Sequence, residues 1–327
     1  MSEVRVLTKN DLRACLSIGE TVELMKTAFA DLSGGRATVP DRVSMEMPGH
    51  KGRALLMPVY LPSAGHFAVK IVSIFKDNPG RGLPYIQAMV LLMDAEDGRI
   101  VALMDGAYLT ALRTGAASGL ATQLLARKNA STAMIFGAGA QGRLQLEGVC
   151  SAMAIRLAYV YDSNGARAAD FVAEMQKRVP CAIRIASSPA VAAEADIICT
   201  ATTSLEPVFQ DIDITPGTHI NAIGAYRPEM CEVPPSTMGR ARVVVDSRSS
   251  ALAEAGDILR AISEGAFSAD RISAELGEIV LGTGRGRTDD REITIFKSVG
   301  NASQDLVAAW KALENAAKMN LGGTLQF

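Results

Sequence analysis

Cysteine and histidine are scarce in this chain of 327 residues, and the few that occur are scattered. The five cysteines include no C-x-x-C pair, so the sequence indicates neither a zinc site nor a disulfide framework, and we expect reduced, mostly buried thiols. The three histidines lack metal-ligand spacing and lie near no nucleophile, so they are interpreted as structural, and no metal is expected. The residues concerned are Cys15, Cys150, Cys181, Cys199 and Cys231, and His50, His66 and His219.

Long hydrophobic runs and an excess of charge of one sign are also absent. No apolar run approaches the roughly 18 residues of a bilayer span, and residues 1–11 lack the apolar stretch of a signal peptide. The net charge of -2 gives no basic surface for a nucleic-acid backbone. The sequence therefore argues against membrane and nucleic-acid partners and predicts a cytoplasmic protein. It also contains no G-x-S-x-G motif.

The length suggests two domains, and the apolar pattern changes period along the chain. A helix is predicted over Ile18–Leu32, before the stop signal Gly34-Gly35. The next hundred residues show short apolar or β-branched runs, with a hairpin turn signal at Glu96-Asp97-Gly98, and predict an antiparallel sheet. The predicted strands are Ala54–Leu61, His66–Lys76, Tyr85–Met93 and Ile100–Met104.

After a helix predicted over Thr110–Arg127, whose small residues Gly115–Gly119 permit close approach of a backbone or ligand, strands and helices alternate regularly. Alternation of this kind implies a parallel, doubly wound sheet with right-handed crossovers. The alternating segments are 133–136, 141–150, 157–161, 165–178, 182–185, 189–195, 196–200, 219–223, 242–246 and 293–296. A last helix, Asn301–Lys318, is expected to return to the first domain.

The predicted fold class is therefore α/β, with two domains. Residues 1–115 and 303–327 are expected to form a β-rich α+β domain, and residues 116–302 a Rossmann-type domain with a doubly wound parallel sheet.

A glycine turn follows the first strand of the predicted parallel sheet. Gly137 permits a tight turn, Gly139 lets the backbone approach a pyrophosphate, and Gly142 lets the next helix pack closely on the strand. Ala140, Gln141 and Gly142 open that helix, whose N-terminus would face the phosphates. A second strand ends in Asp162, about 25 residues after the first glycine, against an expected spacing of about 20. These features together predict a dinucleotide site.

Asp162 is expected to accept hydrogen bonds from the adenosine ribose hydroxyls, which would disfavour a 2′-phosphate. We therefore predict that NAD(H) is preferred and NADP(H) is possible. The alternative role for Asp162 is a cap of the next helix. Ligands of parallel sheets bind at the carboxyl ends of strands, so Thr200, Thr202 and the turn containing Ile223 and Gly224 also point to the cofactor.

Three basic residues are candidates for substrate chemistry. Lys70 lies in a strand that is apolar on both faces, where an unpaired buried ammonium costs several kcal/mol, so it must reach an edge or meet an acidic partner. Arg113 interrupts a run of small residues, as expected of an anion clamp. Arg42, taken alone, is most simply a solvated surface charge.

Several motifs in this order resemble the ornithine cyclodeaminase and mu-crystallin family, over about residues 42–305. They are Pro40-Asp-Arg42, Val69-Lys70, Ala111-Leu-Arg113-Thr114 with Ala117-Ser118, Gly137-Ala-Gly-Ala-Gln141, Asn221-Ala-Ile-Gly224, Glu254-Ala-Gly-Asp257 and Phe296-Lys-Ser-Val-Gly300. The resemblance implies a homodimer with a β-rich substrate domain, closed by the C-terminal helix, and a Rossmann domain.

The resemblance also implies roles for individual residues. Arg42, Lys70 and Arg113 would surround a substrate carboxylate, with Lys70 and Arg113 catalytic. Ser298 and Val299 would lie near nicotinamide and substrate. Further cofactor contacts would be Gln87, which stands where the cyclodeaminases have threonine, and Thr114, Ala140, Gln141, Asp162 and Thr202.

Tyr226 is the main departure from the cyclodeaminases, which carry a catalytic aspartate there; ketimine reductases related to mu-crystallin lack it too. Tyr226 is accordingly placed among the substrate-binding candidates. We therefore predict an NAD(P)H-dependent reductase of a small cyclic imine carboxylate, either Δ1-pyrroline-2-carboxylate or Δ1-piperideine-2-carboxylate, giving L-proline or L-pipecolate. The alternatives are an ornithine cyclodeaminase, an alanine dehydrogenase-like or N-alkyl amino acid dehydrogenase, and a non-enzymatic ligand-binding protein.

Overall fold

A computed structural model describes residues 3–326 of the chain. The strands are β1 (Glu3–Leu7), β2 (Val43–Met47), β3 (Gly52–Leu61), β4 (His66–Phe75), β5 (Ile86–Asp94), β6 (Ile100–Asp105), β7 (Thr132–Phe136), β8 (Leu157–Tyr161), β9 (Ala182–Ile185), β10 (Ile197–Thr200), β11 (His219–Ala222), β12 (Arg242–Val245), β13 (Ile272–Glu275), β14 (Thr294–Lys297) and β15 (Gly323–Gln326). The helices are α1 (Lys9–Cys15), α2 (Ile18–Ser33), α3 (Gly106–Leu125), α4 (Ala140–Ala152), α5 (Gly165–Met175), α6 (Pro235–Arg240), α7 (Arg248–Glu254), α8 (Gly256–Ser263), α9 (Leu276–Val280) and α10 (Ala302–Met319).

The described chain divides into two compact units. The first contains the described residues up to Arg113 and those from Asn301 onward, and the second contains Thr114–Gly300. Among the residues described, no helix is long and apolar enough to cross a membrane.

The first unit is built on a seven-stranded sheet with the order β15-β1-β6-β5-β4-β3-β2. The four strands predicted from the sequence are present and antiparallel, and the predicted turn at Glu96–Gly98 joins β5 to β6. The sheet is nevertheless mixed, because β1 pairs parallel with β6. That pairing was not predicted, since β1 has only five residues and the apolar pattern before Ile18 is too short to assign.

The C-terminal helix α10 belongs to the first unit and packs on β3, β4, β5 and α2. Asn301 caps it, because its side chain accepts from the Ser303 N–H. Ala308, Ala309 and Ala312 are fully buried, and such small side chains allow a helix to lie close to a sheet. This packing covers one face of the sheet and brings the first turn of α10 over β4.

The second unit is an eight-stranded parallel sheet with the order β13-β12-β14-β11-β10-β7-β8-β9. Helices connect the parallel strands, and the central strand β7 is buried from Ala133 to Phe136, as expected of a strand covered on both faces. The predicted doubly wound Rossmann-type fold is confirmed. The order reverses between β7 and β10, which is the switch point at which such sheets bind ligands.

The small residues of α3 allow a close helix–helix contact within the second unit. A Cβ atom on Gly115 would lie 2.2 Å from the Leu144 carbonyl oxygen, and one on Gly148 would lie 2.0 Å from the Gly115 carbonyl oxygen. Any larger residue would push α3 and α4 apart. The group that lies close to Gly115 is therefore the backbone of α4 and not a ligand.

Some predicted elements differ in the structure. The segment predicted as a helix over 189–195 is a 3₁₀ helix, Pro189–Glu194, since one short turn between two strands leaves no room for a longer helix. Elements that were not predicted are β1, α1, β2, β13, β15 and the short helices α6–α9. Most of them have seven residues or fewer, and an element of that length gives only a weak periodic signal.

Candidate active site and dinucleotide site

Lys70 and Asp305 form a buried ion pair in the first unit. The Lys70 Nζ atom donates to Asp305 Oδ2 at 2.6 Å, and the side chains are 3% and 1% exposed. Alternation along β4 turns Ala68, Lys70 and Val72 towards the covered face of the sheet, where α10 places Asp305 in its first turn. The acidic partner that the sequence required for Lys70 is therefore Asp305.

The same carboxylate holds Arg113. Arg113 Nε donates to Asp305 Oδ1 at 3.0 Å, and its Nη1 donates to Gln304 Oε1 at 2.6 Å. Arg113 is 4% exposed. In the described part of the chain, Gln304 Nε2 is buried and has no hydrogen-bond partner. Two cations thus share one carboxylate, next to a buried amide nitrogen without a hydrogen-bond partner in the described residues.

The charges in this cluster perturb one another. Burial lowers the pKa of Lys70 to about 8; Asp305 opposes the fall, while Arg113 and Arg42 add to it. Burial alone would raise the pKa of Asp305, but Arg113 and Lys70 outweigh it and lower that pKa. Lys70 is therefore a cation that can release its proton near neutral pH, beside a carboxylate that stays ionised.

Arg42 and Gln87 are the other predicted site residues of the first unit. Arg42 is half-buried immediately before β2, and its charge contributes to the lowered pKa of Lys70. It is therefore more than the solvated surface charge that its sequence context suggested. Gln87 is exposed on β5, opposite Ser73 of β4.

The glycine turn of the second unit has the geometry that a bound pyrophosphate requires. Gly137 has a positive φ of 97°, and a Cβ atom on Gly142 would lie 2.0 Å from the Gly137 carbonyl oxygen. At Gly139, which caps α4, a Cβ atom would meet nothing within 4 Å. No side chain caps α4, and Gln141 Oε1, which is buried, has no partner in the described structure. The residues present therefore fit a dinucleotide at this helix N-terminus.

Asp162 lies directly after β8 and is bound to this turn. Its Oδ2 atom accepts from the Ala138 N–H at 2.9 Å, and its Oδ1 atom accepts from the Asn164 N–H at 2.9 Å. The side chain of Asn164 caps α5. Asp162 is therefore not the cap of this helix and instead binds the glycine turn.

The strand ends at β10 and β11 are tied to a residue that was not predicted, Glu232. The hydroxyls of Thr200 and Thr202 donate to its carboxylate at 2.8 and 2.7 Å, and the Gly224 N–H donates at 2.6 Å. Ile223 is buried and donates its N–H to the Thr200 carbonyl. Thr200 and Gly224 thus lie at the expected sheet edge, but these polar groups bind Glu232.

Asp246 organises the turn after β14 in a similar way. Its Oδ2 atom accepts from Ser298 Oγ at 2.7 Å and from the N–H groups of Val299 and Gly300 at 2.9 and 2.6 Å. Ser298 is 3% exposed and Val299 is half-buried. The hydroxyl of Ser298 is therefore a donor to the protein itself.

Two predicted residues complete the second unit. Tyr226 is half-buried after β11, with the Arg227 guanidinium 5.8 Å from the centre of its ring. The side chain at this position is therefore a phenol and not a carboxylate. Thr114 is buried on α3.

The residues that the sequence did not single out are all acidic or amide groups: Asp246, Glu232, Gln304 and Asp305. Each acts by binding the backbone or a basic residue far away in sequence, so spacing alone gave little signal. The available signal for an acidic partner was Lys70, because a cation in an apolar strand requires one.

A glycine turn at the switch point of a parallel sheet defines a dinucleotide-binding α/β protein, and its first unit contains a buried cluster of a lysine, an arginine and an aspartate. The family model described as the ornithine cyclodeaminase/mu-crystallin family matches residues 2–320. The chain belongs to this family, and the resemblance seen in the sequence is confirmed.

Relatives within the family give the comparison more detail. The chain is 37% identical over 324 residues to a Delta(1)-pyrroline-2-carboxylate reductase of Bacillus cereus, covering 98% of this chain and 99% of that protein. The solved structure of Thermococcus litoralis Delta(1)-pyrroline-2-carboxylate reductase, in complex with NADH and L-proline, is similar with a TM-score of 0.94 and 41% identity, covering 98% and 99% of the two chains. An archaeal alanine dehydrogenase dimer with bound NAD has a TM-score of 0.92 at 35% identity, with both chains fully covered.

Proposed function

We propose that the protein reduces a small cyclic imine carboxylate with NADH, and that Δ1-pyrroline-2-carboxylate, which gives L-proline, is the preferred substrate. The observation that carries this proposal is the buried cluster of Lys70, Arg113 and Asp305, which combines a proton donor with a carboxylate binder. The two reductases above support the substrate class, since one of them is a complex with NADH and L-proline.

Lys70 is the proton donor of the proposed reaction. Reduction of an imine needs one hydride at carbon and one proton at nitrogen, and a group with a pKa near the working pH transfers a proton efficiently. The Lys70 ammonium, whose pKa is about 8, donates that proton from Nζ. Asp305 is a positioning residue that holds Nζ in place and keeps it charged.

Arg113 and Arg42 bind the substrate carboxylate. A charge-assisted hydrogen bond contributes about 1.5 to 3 kcal/mol, and a guanidinium matches the planar geometry of a carboxylate. Gln304 Nε2, which has no partner among the described residues, is a further donor for it. Asp305 orients the Arg113 side chain through Nε.

The second unit is proposed to hold the cofactor. The turn Gly137–Gly142 binds the pyrophosphate, Asp162 accepts from the adenosine ribose, and the strand ends near Thr202 and Ser298 receive the nicotinamide half. Bound NADH supplies the hydride that reduces the imine carbon. The negative charge of Asp162 would repel a 2′-phosphate bound at the end of β8, so a preference for NAD(H) over NADP(H) is expected.

An alanine dehydrogenase is the second candidate, favoured by the dimer with bound NAD noted above. Both reactions deliver hydride to an imine carbon next to a carboxylate, so Lys70 and Arg113 would serve either. A cyclodeaminase is less well supported, because Tyr226 replaces the carboxylate expected to exchange protons with the substrate amines.

We also propose that the protein is a homodimer formed through the open face of the first unit's sheet. Four cross-strand neighbours on that face are apolar and exposed: Val43 59%, Leu56 36%, Ile71 41% and Met89 48%. Contiguous exposed apolar surface usually marks an interface, and the archaeal relative is a dimer.

We further propose a cytoplasmic location, where the five thiols would remain reduced.

The function is tested by incubating the purified protein with Δ1-pyrroline-2-carboxylate and NADH, following the absorbance of reduced nicotinamide and identifying the product by chiral chromatography. We expect stoichiometric formation of L-proline. The Arg113→Ala variant serves as control and should keep its NADH affinity while losing turnover. Absence of proline with the wild-type protein would overturn the proposal.

A further inference from the structure

Glu232 is fully buried and accepts five hydrogen bonds within the second unit. Its Oε1 atom accepts from the N–H and hydroxyl of Thr202 at 2.6 and 2.7 Å. Its Oε2 atom accepts from the Thr200 hydroxyl at 2.8 Å and from the N–H groups of Gly224 and Ala225 at 2.6 and 3.1 Å. One carboxylate thus joins the chain leaving β10 to the chain leaving β11.

Two further charged residues hold Glu232 in place. Asp257 Oδ1 accepts from the backbone N–H groups of Glu232 and Val233 at 2.6 and 3.0 Å. Lys297 Nζ donates to Asp257 Oδ2 at 2.7 Å, and both side chains are completely buried. These contacts account for the Asp257 and Lys297 positions of the family motifs, to which the proposed reaction assigns no role.

The bonded strand ends lie on one side of the switch point. The sheet order places β10 and β11 on one side of β7, while β8, which carries Asp162 at its end, lies on the other. A dinucleotide spans such a crevice with its halves on opposite sides. Since Asp162 marks the adenosine half, the ends of β10 and β11 belong to the nicotinamide half.

We propose that Glu232, supported by Asp257 and Lys297, is a positioning residue that fixes the two strand ends that receive the nicotinamide half of the cofactor. This inference rests on the proposed NADH-dependent function. In this role Glu232 acts through the backbone of Thr202 and Gly224, and its carboxylate also accepts from the hydroxyls of Thr200 and Thr202.

The bonding pattern makes glutamine a sharp probe. Both Glu232 oxygens accept from backbone N–H groups, those of Thr202 at Oε1 and those of Gly224 and Ala225 at Oε2. An amide NH₂ in either orientation would therefore face an N–H donor and leave it without an acceptor. Glu232→Gln keeps the side-chain volume but releases one of the two strand ends.

The experiment compares the dissociation constants of NADH and ADP, measured by calorimetry, in the wild-type protein and in Glu232→Gln. ADP ends at the pyrophosphate and lacks the whole nicotinamide half, so it reports only on the glycine turn and the adenosine site. We expect NADH binding to weaken about tenfold, because a released strand end must be ordered again when the nicotinamide half binds, and ADP binding to remain unchanged.

Asp196→Asn is the matched control. Asp196 also ties two strands of the same sheet, accepting from the N–H groups of Ser131 and Thr132 at 2.8 and 3.0 Å, but it does so at the amino ends of β7 and β10. This variant should lower the melting temperature without changing the ratio of the two dissociation constants. If Glu232→Gln does not fold, Asp257→Asn is measured in its place, and we expect a smaller change of the ratio in the same direction.

The positioning role would be overturned if the folded Glu232 or Asp257 variant showed no change in either dissociation constant, or an equal loss of affinity for both ligands. Failure of the proposed function has a separate signature. In that case the wild-type protein would not reduce the cyclic imine, whereas the binding comparison, which needs no substrate, would still give its own result.

Discussion

Asp305 Oδ2 lies 2.6 Å from Lys70 Nζ, although 235 residues separate the two in the chain. The pair is almost completely shielded from water, and breaking such a pair leaves an uncompensated charge that costs several kcal/mol. Asp305 also binds Arg113. One carboxylate at the start of α10 therefore sets the position of both the proposed proton donor and the proposed carboxylate binder.

Lys70→Met tests whether the Lys70 ammonium takes part in the reaction as proton donor or only stabilises the fold. Methionine keeps most of the aliphatic volume, and Asp305 retains its bond to Arg113, so we expect the fold to persist. Turnover should fall by roughly 10²- to 10⁴-fold, the usual contribution of a general acid, while the NADH dissociation constant stays unchanged. Stopped-flow NADH oxidation and a thermal melt measure both effects. A variant that lost stability but kept its kcat would show that Lys70 is only structural.

The pH dependence of the reaction should follow the Lys70 side chain. Its pKa is lowered to about 8, first by burial, so the ammonium is present below that pH and is lost as pH rises through it. We expect kcat/KM for imine reduction to decrease above about pH 8, and kcat/KM for L-proline oxidation to increase over the same interval.

Lys70→Arg is the control for this profile, because a guanidinium keeps its proton throughout the range. The decrease above about pH 8 should disappear in this variant, whatever its absolute rate. If the wild-type protein and the variant give the same profile, the titrating group is not Lys70.

Cofactor preference should depend on Asp162. The wild-type protein is expected to use NADH better than NADPH, because the carboxylate repels a 2′-phosphate. Asp162→Ser should reduce the ratio of the two kcat/KM values about tenfold, or 1.4 kcal/mol, as a serine hydroxyl carries no charge. Asp170→Ser, at an exposed position of α5, is the control and should leave the ratio unchanged. A wild-type preference for NADPH would contradict the assignment.

The proposed homodimer depends on the apolar sheet face of the first unit. Ile71→Glu places a charge in the middle of the exposed row formed with Leu56 and Met89, so we expect it to produce monomers in light scattering. Ile212→Glu changes an isoleucine that is 86% exposed in the second unit and should leave the dimer intact. A monomeric wild-type protein at micromolar concentration would contradict the proposal.

The sequence predicted the parts of the molecule whose signals are local. The turn Gly137–Gly142 and the alternation of strands and helices depend on neighbouring residues, and the Rossmann-type fold that they predicted is confirmed. The family was likewise recognised from short motifs and is confirmed. Short elements such as β1 and β15 were missed, because they lie outside the regular alternation of strands and helices that identified equally short strands in the second unit.

The partners of buried charges could not be predicted in the same way. Asp305, Glu232 and Asp246 bind groups that lie far along the chain or belong to the backbone, so their roles depend on the tertiary fold. The sequence showed that Lys70 needed a partner but not which carboxylate it was. It also placed Thr200 at the cofactor edge of the sheet, but it gave no sign that the Thr200 hydroxyl donates to Glu232.

The most direct test of the proposed function compares three reactions of the wild-type protein under identical conditions. They are Δ1-pyrroline-2-carboxylate with NADH, pyruvate and ammonia with NADH, and L-ornithine with NAD⁺. A cyclic imine needs only a hydride and one proton, and Lys70 can supply the proton, whereas ornithine cyclisation needs a carboxylate base, and the side chain of Tyr226 is a phenol. We predict the highest kcat/KM for the cyclic imine and negligible proline formation from ornithine. Faster turnover of pyruvate with ammonia, or comparable release of ammonia from ornithine, would contradict the account.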